Sequence, residues 1–162
     1  MKKFILSVCF LLTIILVACS SPESEELAEY HNSYIENINT KAMLVDEELQ
    51  KSLRAETPAM ALELQQKNVI PLVDEIKEFI HSRDPETEVV KEIHNMRIKQ
   101  LDTWAEAVRL RYQALEKTVE QATKEEVQKL LSESDEKLLD AQKKGEKADE
   151  RFLELADKYN IE

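Results

Sequence analysis

Residues 123–159 read TKEEVQKLLSESDEKLLDAQKKGEKADERFLELADKY, and this stretch decides the fold. It opens on Thr123-Lys124-Glu125-Glu126, the spacing of a capping box, in which a threonine and a glutamate side chain satisfy backbone N–H groups at a helix start. Small or apolar residues then recur at alternating steps of three and four, as in a helix that packs along one side. These positions are Val127, Leu131, Ser134, Leu138, Ala141, Gly145, Ala148, Phe152, Leu155 and Tyr159. The stretch therefore predicts one long helix over 124–159.

The rest of the chain also has a helical composition. One glycine and four prolines occur in 162 residues, whereas glutamate, lysine, leucine and alanine, which favour helices, are abundant. No stretch shows the alternation of a strand bounded by turn residues. Three more pairs combine an N-cap residue with a proline at the first helical position: Ser21-Pro22, Thr57-Pro58 and Asp84-Pro85. Together with Thr123, these signals predict helices over 24–55, 58–81, 85–120 and 124–159.

Each of the first three segments carries an apolar stripe at helical spacing. In the first it is Leu27, Tyr34, Ile38, Val45, Leu49 and Leu53; in the second it is Leu62, Val69, Val73, Ile76 and Ile80; in the third it is Ile98, Leu101, Ala105, Val108, Tyr112, Leu115 and Val119. Short connections make successive helices antiparallel neighbours. The predicted fold is all-α, an antiparallel up-down-up-down four-helix bundle with coiled-coil-like packing. The alternative is a long three-helix coiled coil with a detached helix.

Two residues predict local features of this packing. If the last two helices fold back around residue 122, Trp104 lies opposite Ala141, and the indole fills the space beside a run of small residues. Those residues are Ser134, Ala141, Gly145 and Ala148. Alternatively, Gly145 only weakens an exposed helix, by about 1 kcal/mol. Pro71 lies inside the second helix and lacks a backbone N–H, so we expect it to kink that helix or split it in two.

The N-terminus has the three-part layout of a secretory signal. Lys2 and Lys3 give a positive start, residues 4–17 form an apolar run, and Leu16-Val17-Ala18-Cys19 ends it. The run is shorter than the roughly 20 residues that cross a bilayer as a helix. Leu16-Val17-Ala18-Cys19 resembles the lipobox of bacterial lipoproteins. That resemblance implies that the Cys19 sulfur receives a diacylglycerol and that cleavage between Ala18 and Cys19 makes Cys19 the first residue.

The resemblance sets the expected domains and location. Residues 1–18 are a lipoprotein signal peptide, 19–23 are the lipidated cysteine and a short tether, and 24–162 are the helical domain. The expected location is the extracytoplasmic face of the cell membrane, with the bilayer as a partner through the acyl chains. The alternatives are an uncleaved N-terminal membrane anchor or a plain secretory signal with an incidental cysteine. Because Cys9 is removed with the signal and Cys19 is lipidated, no disulfide is expected.

Charge limits the possible partners. The formal net charge of the chain is −11, and removing residues 1–18 takes away Lys2 and Lys3 and no acid, which leaves −13. Such a chain repels nucleic acid and anionic headgroups, so a nucleic-acid partner is not expected and the acyl chains must hold the protein at the membrane.

The residues that could carry chemistry are few. Glu78-Phe79-Ile80-His81 has the Glu-x-x-His spacing of carboxylate metal bundles, and folding of the first two helices would bring His31 near His81. A second Glu-x-x-His motif is missing, because the residue three positions before His94 is Lys91 and not a glutamate. We therefore predict no metal and no cofactor beyond the diacylglycerol, with Glu78, His81 and His31 as the only suspects. No phosphate loop or nucleophile elbow occurs, so no enzyme is predicted.

In the expected bundle, aromatic and histidine residues collect at the tethered end. They are Tyr30, Tyr34, Phe79, Phe152 and Tyr159, with His31, His81 and His94. The simpler interpretation is that the rings close the core there. The alternative is that some of them, with His81 and Ile161, form a surface that touches lipid or an integral membrane protein.

Two functions follow from these patterns. A lipobox before an acidic helical domain resembles small, mostly uncharacterised lipoproteins of Gram-positive bacteria, some described as binding the cell wall. This implies a non-enzymatic binding module with an unknown envelope or membrane partner. The alternative is a ligand- or metal-binding lipoprotein with a site near Glu78 and His81 and a pocket at the Pro71 bend.

Overall fold

The computed structural model describes residues 21–161, and that range contains four long helices and no strand. Helix α1 comprises Pro22–Tyr34, the π-helical turn Ile35–Asn39 and Thr40–Leu53; α2 comprises Pro58–Leu64, the π-helical turn Gln65–Val69 and Ile70–Ser82; α3 is Glu88–Val119; α4 is Lys124–Tyr159. The all-helical prediction is confirmed for this range. The predicted signal peptide and Cys19 lie outside the described residues.

Three of the four predicted helix starts are confirmed by side-chain caps. The Ser21 hydroxyl accepts from the Ser24 N–H at 3.2 Å, and the Thr57 hydroxyl accepts from the Met60 N–H at 3.2 Å. Thr123 and Glu126 form the predicted capping box. These caps satisfy backbone donors that the first turn leaves free, so the sequence signals locate the helix starts closely.

The predicted start of the third helix at Asp84-Pro85 is wrong. The N-cap is Thr87, whose hydroxyl accepts from the Val90 N–H, and α3 begins at Glu88. The reason is a contact with α1: the Glu26 carboxylate accepts from the Glu86 N–H at 2.6 Å and from the Thr87 N–H at 2.8 Å. This contact holds residues 84–87 as a loop and ties the start of α1 to the connection between α2 and α3.

Pro71 does not split α2. The preceding residues, Gln65–Val69, form a π-helical turn in which the Ile70 N–H donates to the Gln65 carbonyl, five residues back. A π turn inserts an extra residue into the helical ladder, and such turns often accompany functional sites. The chain therefore stays helical past the proline, and the turn alters which side chains face inward around Gln65.

The core is continuous across all four helices. Every predicted seam position of α4 is buried or partly buried, and the same holds for the predicted stripe of α2. The predicted stripe of α1 is wrong at its last residue, because Leu53 is 75% exposed. The predicted stripe of α3 is also wrong at its last residue, because Val119 is 37% exposed. Periodicity predicts which face is apolar, but both exceptions lie where the helices end.

Ion pairs and hydrogen bonds show how α4 runs against α3. From one end to the other, the partners are Glu92 with Arg151, Arg97 with Asp149, Thr103 with Lys144, Glu106 with Lys137, and Arg111 with Asp135. As the residue numbers rise along α3, the residue numbers of their partners in α4 fall. These two helices therefore run in opposite directions.

Ion pairs and hydrogen bonds also join the other helices. Lys41 of α1 pairs with Glu75 of α2, and the Asn68 amide donates to Glu48 at 2.6 Å. Arg109 of α3 pairs with Asp74 of α2. The start of α1 meets the end of α4, where the Ser24 hydroxyl donates to the Tyr159 carbonyl at 3.3 Å. These surface pairs fix register more than stability, since an exposed ion pair contributes about 0–1 kcal/mol.

The space beside Gly145 is filled by Gln100, not by Trp104. A Cβ placed on Gly145 would lie 2.6 Å from Gln100 Nε2. Trp104 is partly buried and lines a shallow cavity of about 250 Å³ together with Leu138 and Ala141. The prediction that the indole faces Ala141 is therefore confirmed, and the prediction that it fills the gap at Gly145 is wrong. A long polar side chain reaches that gap because Arg97 donates to Gln100 Oε1 at 2.9 Å and holds it there.

Gly145→Ala should show the conflict between helix propensity and this contact. Alanine favours a helix interior by about 1 kcal/mol over glycine, but here its methyl group must displace the Gln100 amide. We expect the substitution to change the free energy of unfolding little in the natural chain and to raise it by about 1 kcal/mol when Gln100 is also replaced by alanine. Urea unfolding of the two single variants and the double variant measures this. Equal effects of Gly145→Ala in both backgrounds would contradict the assignment.

Candidate functional site

A groove lies at the end of the molecule remote from Ser21. Its lining comes from the ends of α1 and α3 and the beginnings of α2 and α4, and its volume is about 540 Å³. We call it the distal groove. Its apolar side chains are Leu49, Leu53, Ala55, Pro58, Ala61, Ala114, Leu115, Val127 and Leu131, and its polar ones are Asp46, Gln50, Ser52, Glu56, Thr57, Gln65, Arg111 and Thr118. This volume falls in the range of small-molecule sites, roughly 300–1,000 Å³.

The groove exists because small side chains form its floor. Ala61, Ala114 and Ser52 are buried, and none of them extends far enough to fill the space between the two pairs of helices. Leu53 stands on the rim and is 75% exposed. A large apolar side chain with so little cover is typical of a surface that another molecule contacts, provided that further apolar groups surround it.

Gln65 is the most informative residue of the groove. It is 7% exposed, and its Oε1 is the one buried side-chain nitrogen or oxygen in residues 21–161 without a hydrogen-bond partner. Leaving a buried acceptor unpaired costs about 1–3 kcal/mol. Oε1 itself has almost no accessible surface, so this unpaired acceptor lies behind the groove wall.

The orientation of the Gln65 amide follows from its neighbours. The Ser52 hydroxyl has one hydrogen, which it donates to the Ala61 carbonyl at 3.2 Å. In this arrangement Ser52 accepts from Gln65 Nε2 at 2.9 Å, and the amide atom without a partner is Oε1.

Two lining residues of the groove, Arg111 and Thr118, donate hydrogen bonds within the protein. The Arg111 side chain donates from Nη2 to Asp135 at 2.6 Å and from Nε to the Ser134 hydroxyl at 3.2 Å. The Thr118 hydroxyl donates to the Ala114 carbonyl at 2.8 Å. By contrast, Asp46 and Glu56 are exposed carboxylates at the rim. The groove thus has an apolar centre with carboxylates at its rim, and Gln50 and Thr57 add groups that can both donate and accept.

The suspected metal residues are not brought together. The His81 Nε2 lies 3.0 Å from Asp102 Oδ1, whereas the His31 ring stacks on the Phe152 ring with centroids 3.9 Å apart. Glu78 is exposed. Within the part of the chain that the structure describes, no group of three or more His, Cys, Asp or Glu side chains could hold a metal ion. The two histidine rings engage different neighbours, Phe152 for His31 and Asp102 for His81.

The end of the molecule near Ser21 holds a buried polar cluster, in which Arg97 joins residues that the sequence had placed there. The Tyr30 hydroxyl lies 3.2 Å from His94 Nδ1. Arg97, which is 5% exposed, pairs with Asp149, and its guanidinium carbon lies 4.6 Å from the centre of the Tyr34 ring. A buried guanidinium is tolerated only when it is paired and hydrogen-bonded, and here the carboxylate, an amide and a ring face provide that environment.

Burial sets the protonation of this cluster. It lowers the pKa of His94 below its ordinary value of 6.5, and the nearby His81 and Arg83 lower that pKa further. The pKa of His31 is also lowered, first by burial and then by the charge of Arg97. Burial raises the pKa of Tyr30 and of Tyr34 above 10.0. All four groups are therefore held in their neutral forms.

The aromatic residues predicted for this end close the core. Tyr30, Tyr34 and Phe152 are buried, so these three rings have no surface to offer to lipid or to a partner. Phe79, Tyr159 and Ile161 are partly buried and pack against the same core. Beside them, a cavity of about 510 Å³ is lined mainly by acidic side chains, with Arg83 as the basic residue of its lining.

Comparisons of this chain with protein-family models, with curated protein sequences and with solved structures each found no match. None of the helices in residues 21–161 combines the length and the apolar character that a membrane span requires. The candidate residues for lipidation and cleavage, Cys19 and Ala18, lie before the described range. Function is therefore inferred from side-chain chemistry and from the N-terminal motif.

The buried histidines make stability depend on pH in a defined direction. Because the pKa of His94 is lower in the folded chain, the unfolded chain binds more protons as the pH falls below about 6.5. We expect the free energy of unfolding to decline between about pH 7.5 and pH 5.5, above the range in which ordinary carboxylates titrate. His94→Asn, which keeps a hydrogen-bonding group beside Tyr30 but cannot titrate, should show a smaller decline. Urea unfolding at each pH measures both chains, and parallel curves would contradict the assignment.

Proposed function

We propose that this chain is a lipid-anchored binding protein on the extracytoplasmic face of a bacterial cell membrane. In this proposal, cleavage between Ala18 and Cys19 follows attachment of a diacylglycerol to Cys19, and the mature protein has no enzymatic activity. The binding surface is the distal groove. The observation that carries the binding role is the apolar groove of about 540 Å³, with the exposed Leu53 on its rim.

We further propose that the helices form an up-down-up-down bundle with coiled-coil-like packing. The antiparallel order of partners between α3 and α4, together with the pairs that join α1 to α2 and α2 to α3, supports this arrangement. The heptad spacing of α4 supports the mode of packing.

The N-terminal motif and the start of α1 support the anchor. Pro22 begins α1, so two residues separate Cys19 from the first helix. An acyl anchor at Cys19 would hold the start of α1 close to the headgroups. This end of the protein carries acidic side chains, which include Glu26, Glu29 and Asp84. Anionic lipid headgroups should repel it. Stable attachment against this repulsion needs two acyl chains, which a diacylglycerol on Cys19 would supply.

The length of α1 sets how far the groove would lie from the membrane surface. Between Pro22 and Leu53 the helix rises by about 45 Å at 1.5 Å per residue. A protein anchored at Cys19 and standing on its short tether would therefore present the groove well beyond the headgroup layer. In that position the groove can meet a soluble ligand of the envelope or a larger partner.

Mass spectrometry of the chain purified from bacterial membranes tests the anchor. The expected species begins at Cys19 and carries a diacylglyceryl adduct on that residue. Cys19→Ser should abolish both the adduct and the cleavage, because a hydroxyl does not replace the thiolate nucleophile in the thioether linkage. Cys9→Ser is the matched control and should leave both unchanged. An intact Met1, or an unmodified Cys19 thiol in the natural chain, would contradict the anchor.

A further inference from the structure

The two parts of α1 pack against different helices. The first part, Pro22–Tyr34, lies against α3 and α4, whereas the second part, Thr40–Leu53, lies mainly against α2. The π-helical turn Ile35–Asn39 joins them. Because a π turn interrupts the regular hydrogen-bond ladder and is one of the places where helices bend, the two parts of α1 can move separately about it.

Three contacts of the first part involve a titratable side chain. The His31 ring stacks on the Phe152 ring of α4, with centroids 3.9 Å apart. The Tyr30 hydroxyl lies 3.2 Å from His94 Nδ1 of α3. The Glu26 carboxylate accepts from two backbone N–H groups of the loop between α2 and α3. Since two of these contacts involve a histidine, their charge changes near pH 6.5, where no ordinary carboxyl titrates.

A proton on His94 would be buried among basic neighbours. This residue is 6% exposed. His81 and Arg83 face it from the end of α2, Tyr30 faces it from α1, and Asp84 of the following loop is the acidic neighbour. Burial lowers the pKa of His94, the two basic side chains lower it further, and Asp84 offsets only part of this.

The surroundings of His31 act in the same direction. Arg97 faces it from α3 and Asp149 faces it from α4. Burial lowers the pKa of His31 and Arg97 lowers it further, whereas Asp149, which already pairs with Arg97, raises it by less. Both histidines therefore bind a proton less readily in the packed state than in water.

We propose that acid opens this contact: when His31 and His94 bind protons, Pro22–Tyr34 detaches from α3 and α4 and moves about the π-helical turn Ile35–Asn39. Both imidazoles then reach water, which solvates the added charge. The detached part has 13 residues, a length at which an isolated helix is only marginally stable, so it also loses its helical structure.

Proton linkage sets the direction and the size of the effect. Because the pKa of each histidine is lower in the closed form, the open form binds more protons as the pH falls below 6.5. Between about pH 7.5 and pH 5.5, each histidine raises the ratio of open to closed chains by up to about tenfold, and two raise it by up to about a hundredfold. The carboxyl of Glu26 stays ionised in this range, since its burial is outweighed by hydrogen bonds from the loop and its pKa lies below 4.5. Its contact opposes opening throughout.

This inference goes beyond the proposed function and does not need the lipid at Cys19. In a chain anchored at Cys19, detachment of 13 residues would lengthen the tether by up to about 45 Å. Acid would then allow the rest of the domain to move away from the membrane surface.

Hydrogen exchange followed by mass spectrometry tests the inference. It uses the full chain in a mild detergent, which keeps the chain soluble whether or not Cys19 carries a lipid. Protection is measured at about pH 7.5 and pH 5.5 and corrected for the intrinsic exchange rate at each pH. We expect the protection of amides 27–34 to lie below that of amides 101–115 in α3 at both pH values, and to fall by up to about a hundredfold at the lower one.

Variants assign the fall to the two histidines. His31→Phe keeps an aromatic ring and His94→Asn keeps a polar side chain, but neither can titrate in this range. Each should limit the fall to about tenfold, and the double variant should remove it. His81→Asn is the matched control and should retain the fall, because His81 is exposed and pairs with Asp102. The readout is a ratio between two pH values, so a variant that is less stable at both still gives an answer.

Three results would overturn the inference. Equal protection of amides 27–34 and 101–115 at the lower pH would mean that the first part of α1 opens only with the whole domain. Protection of amides 27–34 that does not fall with pH would exclude a response to acid. A fall that survives in the double variant, or that is lost in His81→Asn, would assign the response to other groups. An unmodified Cys19 would instead remove the anchor and leave the opening in place.

Discussion

The packing of α3 against α4 is the contact on which the rest of the molecule depends. Both helices exceed thirty residues, and they run side by side from Glu92 and Arg151 at one end to Arg111 and Asp135 at the other. The residues of α4 that face α3 are small at Ser134 and again at Gly145. The Ser134 hydroxyl donates to the Ala107 carbonyl at 2.8 Å. Small side chains let two helices approach closely, and long ones from α3 then occupy the gaps.

The two ends of this pair hold different chemistry. At the end near Ser21, aromatic rings and the buried Arg97 fill the space between α1, α3 and α4. The Tyr30 hydroxyl lies against His94, and Arg97 pairs with the exposed Asp149. At the other end, small floor residues leave a groove, and Gln65 Oε1 has no hydrogen-bond partner. The polar groups at the end near Ser21 are therefore satisfied within the fold, whereas the other end has an open groove and one buried acceptor without a partner in the described residues.

The helices could be predicted from the sequence because each signal acts locally. The capping box at Thr123 and the proline pair at Thr57 locate helix starts within a turn. The start of α3 could not be predicted, since it depends on Glu26, which lies about sixty residues earlier and binds the backbone of the loop. The groove was missed for a related reason: Gln65 is polar and belongs to no apolar stripe. Pro71, where the alternative function placed a pocket, is not among the residues that line this groove.

The distance between the start of α1 and the start of α4 tests the central claim most directly. His31 stacks on Phe152, so the account places the start of α4 nearly thirty residues of helix away from the start of α1. Spin labels on Glu29→Cys and Lys124→Cys, measured by double electron–electron resonance in nanodiscs, should give a distance of about 40 Å. A distance below about 20 Å would mean that α4 runs parallel to α1, and it would contradict a molecule with its tether at one end and its groove at the other.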